Sequence, residues 1–160
     1  MKGLFVAAAL LVAVSPANAH AGVHPPAESG RALDEGAQAA SAAVDAFHDA
    51  LRRGDTAAAA VLMADDAVIF ESGEVERTKA EYAAHHLPAD AQFEKAVGST
   101  VTSRTGGSDG SLAWIATEGR ITGTYKGKPL NRTTTETMLL RRTEDGWKIT
   151  HVHWSSGAPK

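Results

Sequence analysis

The chain has 160 residues, carries no cysteine and has a formal net charge of −3 at pH 7, with acidic and basic residues interspersed. A chain without cysteine forms no disulfide and has no thiol chemistry, and the lack of a basic run argues against nucleic-acid binding. With 43% hydrophobic residues, this length is enough for one domain with one core.

The N-terminus has the layout of a secretory signal peptide. Lys2 precedes an apolar run over residues 4–14, and the small-residue triplet 17–19 precedes a cleavage site. We therefore expect cleavage after Ala19 and a periplasmic or secreted location, with no membrane attachment once the signal is removed. A retained anchor is the alternative, although the run is shorter than the roughly 20 apolar residues of a spanning helix. Residues 20–32 have no apolar period and are predicted to be a flexible tail.

Apolar residues at intervals of four and three predict an amphipathic first helix. They are Leu33, Ala37, Ala40, Val44, Phe47 and Leu51. Gly54 is expected to end this helix in a left-handed conformation, and Asp55 is expected to cap a second helix over residues 56–64. His48 lies just off the apolar stripe and is interpreted as a surface or rim residue.

A third helix is predicted over residues 79–87. Residues 78–81 have the Thr-x-x-Glu spacing of a capping box, and the proline that follows the helix is expected to end it. Tyr82 shares a helical face with His85 at i+3 and with His86 at i+4. One of the two histidines is therefore expected to face inward.

Five stretches rich in β-branched and aromatic residues predict strands. They cover residues 67–73, 93–105, 111–126, 133–142 and 147–155. Asp145 and Gly146 predict a tight turn between the last two, because glycine accepts the positive φ of a hairpin turn. Glu71, at the end of the first strand, either borders a pocket or reaches water. Helices followed by long consecutive strands indicate an α+β fold.

The last predicted strand has two faces, because side chains alternate along a strand. Trp147, Ile149, His151 and His153 point one way, and Lys148, Thr150, Val152 and Trp154 point the other. Neither face is purely polar, so we expect helices to cover one face and either more protein or a partner subunit to cover the other. The sequence therefore predicts a homodimer formed through the outer face of the sheet.

The C-terminal sequence resembles that of a known superfamily. The run E-T-x-x-x-R-R-x-x-D-G-W-K-I-x-H-V-H-W-S-S-G-A-P is similar to the end of NTF2-like proteins, in particular SnoaL-like proteins and the association domain of calmodulin-dependent kinase II. The resemblance implies an NTF2-like, cystatin-like cone over residues 33–156, followed by a short tail over 157–160. Three N-terminal helices pack in such a cone on a curved antiparallel sheet of four to six strands. The superfamily includes isomerases, dehydratases, transport factors and assembly domains, so it fixes the fold better than the function.

In this superfamily the usual ligand site is the conical cavity between helices and sheet. The association domain has arginine at two pocket positions that match Met138 and Trp154 here, so its anionic ligand is not carried over. Strand alternation predicts that the inward-facing residues are Glu136, Met138, Val152, Trp154, Trp114, Glu118 and Arg120, with Tyr82 and Glu71 as further pocket residues. The expected ligand is a small, largely apolar molecule.

Glu136 and Glu118 are the candidate catalytic residues. Burial disfavours the charged form of a carboxylate, which raises its pKa and suits it to general acid or base catalysis. In this interpretation the protein is a SnoaL-like or ketosteroid-isomerase-like isomerase or dehydratase, since enzymes of the superfamily use acidic residues or histidine in the cavity. The alternative is structural, because an ion pair with Arg120 explains either glutamate equally well.

The histidines offer another alternative, a copper or zinc site. His151 and His153 share a face but lie about 7 Å apart along the strand, so they need a third ligand such as His85 or His86. His20, at the predicted new N-terminus, suits copper together with the free α-amine. The preferred interpretation is that His151 and His153 pack under a helix or across a dimer interface.

The sequence thus predicts an exported protein that binds a small apolar molecule as a homodimer and uses no cofactor. An isomerase or dehydratase and a non-catalytic assembly domain are the alternatives. The sequence has no dinucleotide-binding, phosphate-loop or nucleophile-elbow motif.

Overall fold

The computed structural model of the chain describes residues 33–159. The helices in this range are α1 (Glu35–Arg53), α2 (Thr56–Val61), α3 (Lys79–Ala84) and α4 (Leu87–Ala96). The strands are β1 (Met63–Glu71), β2 (Glu74–Glu76), β3 (Val97–Ser108), β4 (Leu112–Tyr125), β5 (Lys128–Thr143) and β6 (Gly146–Gly157). The predicted signal peptide, the predicted tail and His20 lie outside the described residues.

The strands form one curved, unclosed sheet in the order β2-β1-β6-β5-β4-β3. Strands β3 to β6 follow one another as antiparallel neighbours, and β2 pairs antiparallel with β1. Only the pairing of β1 with β6 is parallel among the described strands. The helices pack against the sheet, which confirms the predicted α+β architecture. Within residues 33–159, no helix is both long and apolar enough to cross a membrane.

Helix α1 ends where the sequence predicts, but it begins at Glu35, two residues after the start of the predicted stripe at Leu33. Asp34 caps its N-terminus, with Oδ1 accepting a hydrogen bond of 2.7 Å from the backbone N–H of Ala37. Gly54 ends the helix at φ 74°, a conformation that favours glycine. Asp55 caps α2 as expected, but α2 stops at Val61 because the chain already enters β1 two residues later.

A fourth helix occupies a segment predicted to be a strand. Thr78 caps α3, since its Oγ1 accepts from the backbone N–H of Glu81 at 3.1 Å. Helix α3 is short, however, and Pro88 lies in the first turn of α4, where a missing N–H costs no hydrogen bond. The prediction of one helix over residues 79–87, ended by proline, is therefore wrong. Residues 93–96 are helical and not part of a strand.

The core lies between the helices and the inner face of the sheet. Phe47 of α1 and Tyr82 of α3 are completely buried, and they meet Ile115, Met138 and Ile149 of the sheet in one cluster. Half of the remaining buried positions of α1 are alanine, which lets the helix approach the sheet closely. This contact fixes the position of α1 over the sheet, and with it the position of any polar side chain on the same helix.

A β-bulge in the β5–β6 hairpin changes which residues face the core. Ile149 lies opposite Leu140 and His151 lies opposite Leu139, so Thr150 is an extra residue in β6. Strict alternation fails at this point. The prediction that Ile149 shares a face with His151 is therefore wrong, and Ile149 is fully buried.

The sequence predicts two faces for β6, and residues of both faces contact the core. Val152 is completely buried and Trp154 packs against the core, as expected. Trp147, which was assigned to the opposite face, also packs against the core. His153 is exposed, which leaves the outer face of the strand to the two histidines.

Strand β4 has the opposite orientation to the one predicted. Ala113 and Ile115 are buried, whereas Trp114 is 43% exposed and Glu118 is also exposed. Ile115 lies opposite Met138, and directly opposed residues share a face, so the odd-numbered residues of this strand face inward. The prediction that Trp114 and Glu118 face inward is wrong.

Candidate active site

Two adjoining cavities lie between α1, α4 and the inner face of the sheet. The inner cavity has a volume of about 140 Å³ and is bordered by Glu71 and Asp90. The second cavity has a volume of about 260 Å³ and opens towards β3. Five residues line both cavities: His48, Glu94, Ile121, Thr134 and Trp154. The wall between the two cavities therefore carries an imidazole and an indole.

His48, Glu136 and Trp154 form a hydrogen-bonded array at this wall. Nε2 of His48 lies 2.7 Å from Oε2 of Glu136, and Nε1 of Trp154 donates to the same oxygen at 2.7 Å. Glu136 and Trp154 are opposite each other on β5 and β6, whereas His48 comes from α1. Glu136 is only 8% exposed, as the sequence predicts from its position on the strand.

Glu136 is an ionised carboxylate, contrary to the expectation for a buried acid. Burial raises its pKa, but the hydrogen bond and charge of His48, together with the Trp154 indole, outweigh burial and lower the pKa below its ordinary 4.5. Burial likewise lowers the pKa of His48, but Glu136 outweighs it and raises the pKa above 6.5. The pair therefore exists as imidazolium and carboxylate at weakly acidic pH. A proton is available on His48 and not on Glu136.

Arg104 closes the side of the second cavity. Its guanidinium donates to Oδ1 of Asp45 at 2.6 Å, to Oγ of Ser41 at 3.0 Å and, from Nε, to Oγ1 of Thr117 at 3.1 Å. The arginine charge also helps to lower the pKa of Glu136. Sequence reasoning missed Arg104, although it lies in a predicted strand, because its partners Ser41 and Asp45 are 63 and 59 residues away in the chain.

Aromatic residues hold the indole of Trp154 in place. Phe47 stacks against it with ring centroids 6.4 Å apart and planes at 23°, and Tyr82 lies 6.4 Å away on another side. Tyr82 and Met138 are completely buried, so they support the cavity wall from behind. Of the residues predicted to line a pocket, Glu71 and Trp154 line the inner cavity, and Arg120, Glu136 and Trp154 line the second cavity.

Asp90, which borders the inner cavity, forms a second polar pair with the buried Tyr82. The hydroxyl of Tyr82 donates to Oδ2 of Asp90 at 2.7 Å. Burial raises the pKa of Asp90 to about 6, with Glu71 adding to the increase. Burial also raises the pKa of Glu71, which the sequence placed at a strand end beside a pocket or in water. Asp90 was missed because its helix, α4, was not predicted.

The remaining predicted pocket residues lie at a cavity opening or on the outer face of the sheet. Arg120 is exposed and borders the second cavity at its opening. Glu118 is exposed on the outer face. Trp114 borders a groove of about 560 Å³ on that face, together with Leu112 and Leu139. His48 differs from its predicted position. The sequence predicts a surface or rim residue, but the His48 side chain is only 19% exposed.

The histidines considered as metal ligands have other contacts. Nδ1 of His151 donates to the carbonyl of Val68 at 2.9 Å, and His153 lies edge-on to Phe70 with ring centroids 6.2 Å apart. His86 contacts two glutamates and His85 is exposed. In the described part of the chain, no group of three or more His, Asp or Glu side chains is arranged to hold a metal ion.

The sequence model of the SnoaL-like domain matches residues 40–159, a range that includes His48, Glu136 and Trp154. The chain belongs to the SnoaL-like family. A search of proteins with curated functions finds no match to this SnoaL-like protein. Solved structures do resemble it, as the NTF2-like resemblance of its C-terminus implies.

Three solved structures illustrate this similarity. A candidate ketosteroid isomerase from Shewanella frigidimarina is 38% identical, with a TM-score of 0.72, and the match covers 78% of this SnoaL-like chain and 100% of that chain. A candidate calcium/calmodulin dependent protein kinase II association domain from Xanthomonas campestris is 24% identical, with a TM-score of 0.65 and coverages of 81% and 94%. A candidate dehydratase of the NTF2-like family from Streptomyces avermitilis is 20% identical, with a TM-score of 0.62 and coverages of 78% and 97%. The last two support the fold alone.

Proposed function

We propose that this SnoaL-like protein binds a small, largely apolar molecule in the two joined cavities and transfers a proton on it, as an isomerase or dehydratase does. The observation that carries the proposal is the His48–Glu136 pair at 2.7 Å, whose imidazole lines both cavities and whose carboxylate lines the second. The inner cavity, about 140 Å³, is close to the roughly 150 Å³ cavity that holds benzene in an engineered protein. A molecule with one ring therefore fits there, and a longer one extends past His48.

In this mechanism His48 is the residue that touches the substrate. Glu136 holds Nε2 of the imidazolium, which leaves Nδ1 to donate a proton or hydrogen bond to a substrate oxygen. The buried carboxylate stabilises the charged imidazole and fixes its orientation, so Glu136 is a positioning residue. This role differs from the proton shuttle expected of Glu136, because its own pKa is lowered.

One relative favours this reaction class. The structure that is 38% identical is described as a candidate ketosteroid isomerase. This description supports an isomerase-type reaction here, and we propose that the size of the inner cavity selects the substrate.

The experiment uses 5-nitrobenzisoxazole, whose ring opens when a base removes the proton on C3, the N–O bond breaks and a phenolate forms. The purified protein is expected to accelerate this reaction above free imidazole and acetate at equal pH. His48→Gln is expected to reduce kcat/KM by about 10²–10⁴-fold, because it removes the cation that faces the phenolate. The control is Asp145→Asn, an exposed residue of the β5–β6 turn. No acceleration by the protein, or full activity in His48→Gln, would overturn the proposal.

We further propose that the protein is exported and forms a homodimer through the outer face of its sheet. Export rests on the sequence of residues 1–19. Dimerisation rests on the outer-face groove, where Leu112, Trp114 and Leu139 are 53%, 43% and 43% exposed. An apolar patch of this kind on a sheet is typical of a protein interface.

A further inference from the structure

The Tyr82–Asp90 pair has no part in the function proposed above, although Asp90 borders the same inner cavity as His48. Tyr82 is completely buried in α3, and its hydroxyl fixes Oδ2 of Asp90 at 2.7 Å. Asp90, Phe93 and Glu94 line the cavity from α4 at i, i+3 and i+4, so one helical face forms this wall. The carboxyl group of Asp90 is thus held in place on one side and borders the cavity.

Asp90 and His48 belong to different elements, α4 and α1, that pack against each other. Both border a space of about 140 Å³, which is small enough for one ring to reach both of them. Trp154 contacts the partners of both residues. Its ring packs against Tyr82, the partner of Asp90, and its N–H donates to Glu136, the partner of His48. A displacement of the indole therefore disturbs both pairs.

We infer that Asp90 is the second proton-transfer residue of this cavity, and that its carboxylate removes a carbon-bound proton while His48 donates to the oxygen of the same substrate. Tyr82 is the positioning residue for Asp90. The inference rests on the proposed function. It also names the substrate class, a one-ring-sized carbonyl or β-hydroxycarbonyl compound with an acidic C–H next to the carbonyl carbon.

The proton balance is simple for both reactions. In an isomerisation Asp90 takes the proton from carbon, His48 gives its proton to the carbonyl oxygen to form an enol, and both return on reprotonation at the other carbon. In a dehydration Asp90 takes the proton, His48 protonates the leaving hydroxyl, a C=C bond forms and water leaves. Solvent then restores the two protonation states.

Glu71 and Glu94 are the competing carboxylates of the cavity. Glu94 already accepts a hydrogen bond from Ser99 at 3.2 Å. Glu71 lies at the end of β1 and has no side-chain hydrogen bond among residues 33–159 that would fix its position. A proton acceptor has to be held in place to be effective, and of the three carboxylates only Asp90 is held by a fully buried partner.

The pH dependence follows from the groups around Asp90. These groups are Tyr82 of α3, Glu71 of β1, Glu94 of α4, and His86, which directly precedes α4. The pKa of Asp90 is about 6, because burial raises it by more than the hydrogen bond from Tyr82 lowers it. Asp90 has to be ionised to accept a proton, so the acidic limb of the rate profile is expected near this value, and the alkaline limb is expected where His48 loses its proton.

The test is the pH profile of kcat/KM for 5-nitrobenzisoxazole with the purified protein. Asp90→Asn is expected to lower kcat/KM by about 10²–10⁴-fold. Tyr82→Phe is expected to keep turnover and to move the acidic limb to higher pH, because it removes the hydrogen bond that lowers the pKa of Asp90. A structural role of Tyr82 predicts a lower rate without that shift. Asp145→Asn again serves as the matched Asp-to-Asn control.

The outcomes separate the two proposals. If His48→Gln is inactive while Asp90→Asn keeps wild-type activity within about twofold, Asp90 is not the base and the proposed function stands. The same conclusion follows if Glu71→Gln abolishes turnover and Asp90→Asn does not. An unchanged acidic limb in Tyr82→Phe also overturns the inference. If the protein itself gives no acceleration, the proposed function fails first.

Discussion

Trp154 donates its indole N–H to Oε2 of Glu136 across neighbouring strands, at 2.7 Å. The two residues are directly opposed in the β5–β6 ladder, and His48 reaches the same oxygen from α1. The buried carboxylate is therefore kept charged by one imidazole and one indole, each anchored in a different element. The geometry of the candidate active site and the packing of the helix on the sheet depend on the same three side chains.

Trp154→Phe is expected to lower the free energy of unfolding by about 1–3 kcal/mol, because it leaves a buried charged oxygen with one donor fewer. The phenyl ring preserves most of the stacking with Phe47. The measurement is urea unfolding at pH 6. Trp147→Phe makes the same change in a residue that only packs against the core, so it is the matched control. An equal loss in both variants would mean that ring size, and not the indole N–H, accounts for the effect.

The His48–Glu136 pair predicts a stability window. The folded-state pKa of His48 is raised above 6.5, so its contribution is complete below that value and is lost as pH rises through the folded pKa. The folded-state pKa of Glu136 is lowered below 4.5, so its contribution is complete above that value and is lost as pH falls through the folded pKa. The pair therefore contributes fully between pH 4.5 and pH 6.5.

A double-mutant cycle with His48→Gln and Glu136→Gln measures this window. The coupling free energy from urea unfolding is expected to be largest near pH 5.5, the centre of the window, and to decrease at pH 3.5 and at pH 8.5. A coupling free energy that stays constant over this range would show that the two side chains form a neutral hydrogen bond.

Asp90→Asn is expected to stabilise the fold at neutral pH, although it removes the residue assigned to catalysis. The pKa of Asp90 is about 6 in the folded protein against an ordinary 3.8, so the folded state binds the proton more tightly and loses stability as pH rises between these values. Each unit of pKa difference corresponds to about 1.4 kcal/mol. Asparagine does not ionise, and its side-chain oxygen still accepts from Tyr82.

The free energy of unfolding of Asp90→Asn relative to the wild type is therefore expected to increase from pH 3.5 to pH 7.5. Asp145→Asn, in the exposed turn, is expected to stay within about 0.5 kcal/mol of the wild type throughout. A loss of stability at pH 7.5 in Asp90→Asn would contradict a raised pKa and point to an ionised Asp90 that the fold needs.

The sequence was sufficient for the fold and for part of the site. The sequence predicts helix α1, its cap Gly54 and the C-terminal hairpin correctly. These features depend on the helical period, a positive φ and turn residues, which are all local properties of the chain. Glu136 and Trp154 were correctly placed on the inner face by their parity along uninterrupted strand segments.

The errors arose where a non-local contact decides the local structure. The bulge at Thr150 reverses the alternation of β6, and no composition signal marks it. The face of β4 is set by the register of Ile115 against Met138, and register cannot be read from one strand. His48 was interpreted as a rim residue because its partner, Glu136, is 88 residues away in the chain.

Gly106 of β3 is expected to tolerate no side chain. A Cβ atom there would lie 2.6 Å from the carbonyl of Trp114, 2.8 Å from Cδ1 of Ile115 and 2.9 Å from Cδ2 of Leu33. Gly106→Ala is therefore expected to lower the free energy of unfolding by about 1–3 kcal/mol through overpacking. Gly98→Ala in the same strand meets its nearest atom at 3.6 Å, an ordinary contact, and is expected to be nearly neutral. Equal effects in urea unfolding would mean that Gly106 does not approach Trp114, Ile115 and Leu33 this closely in solution.

Leu139→Lys is expected to convert a dimer into a monomer. Leu139 is 43% exposed beside Trp114 and Leu112 on the outer face, and a lysine at the centre of this patch would place a charge in the proposed interface. Sedimentation velocity at micromolar concentration measures the change directly. Val61→Lys is the matched control, because Val61 is 64% exposed on helix α2 and contacts no part of the groove. A wild-type protein that sediments as a monomer, or a Leu139→Lys protein that remains dimeric, would exclude this face as the interface.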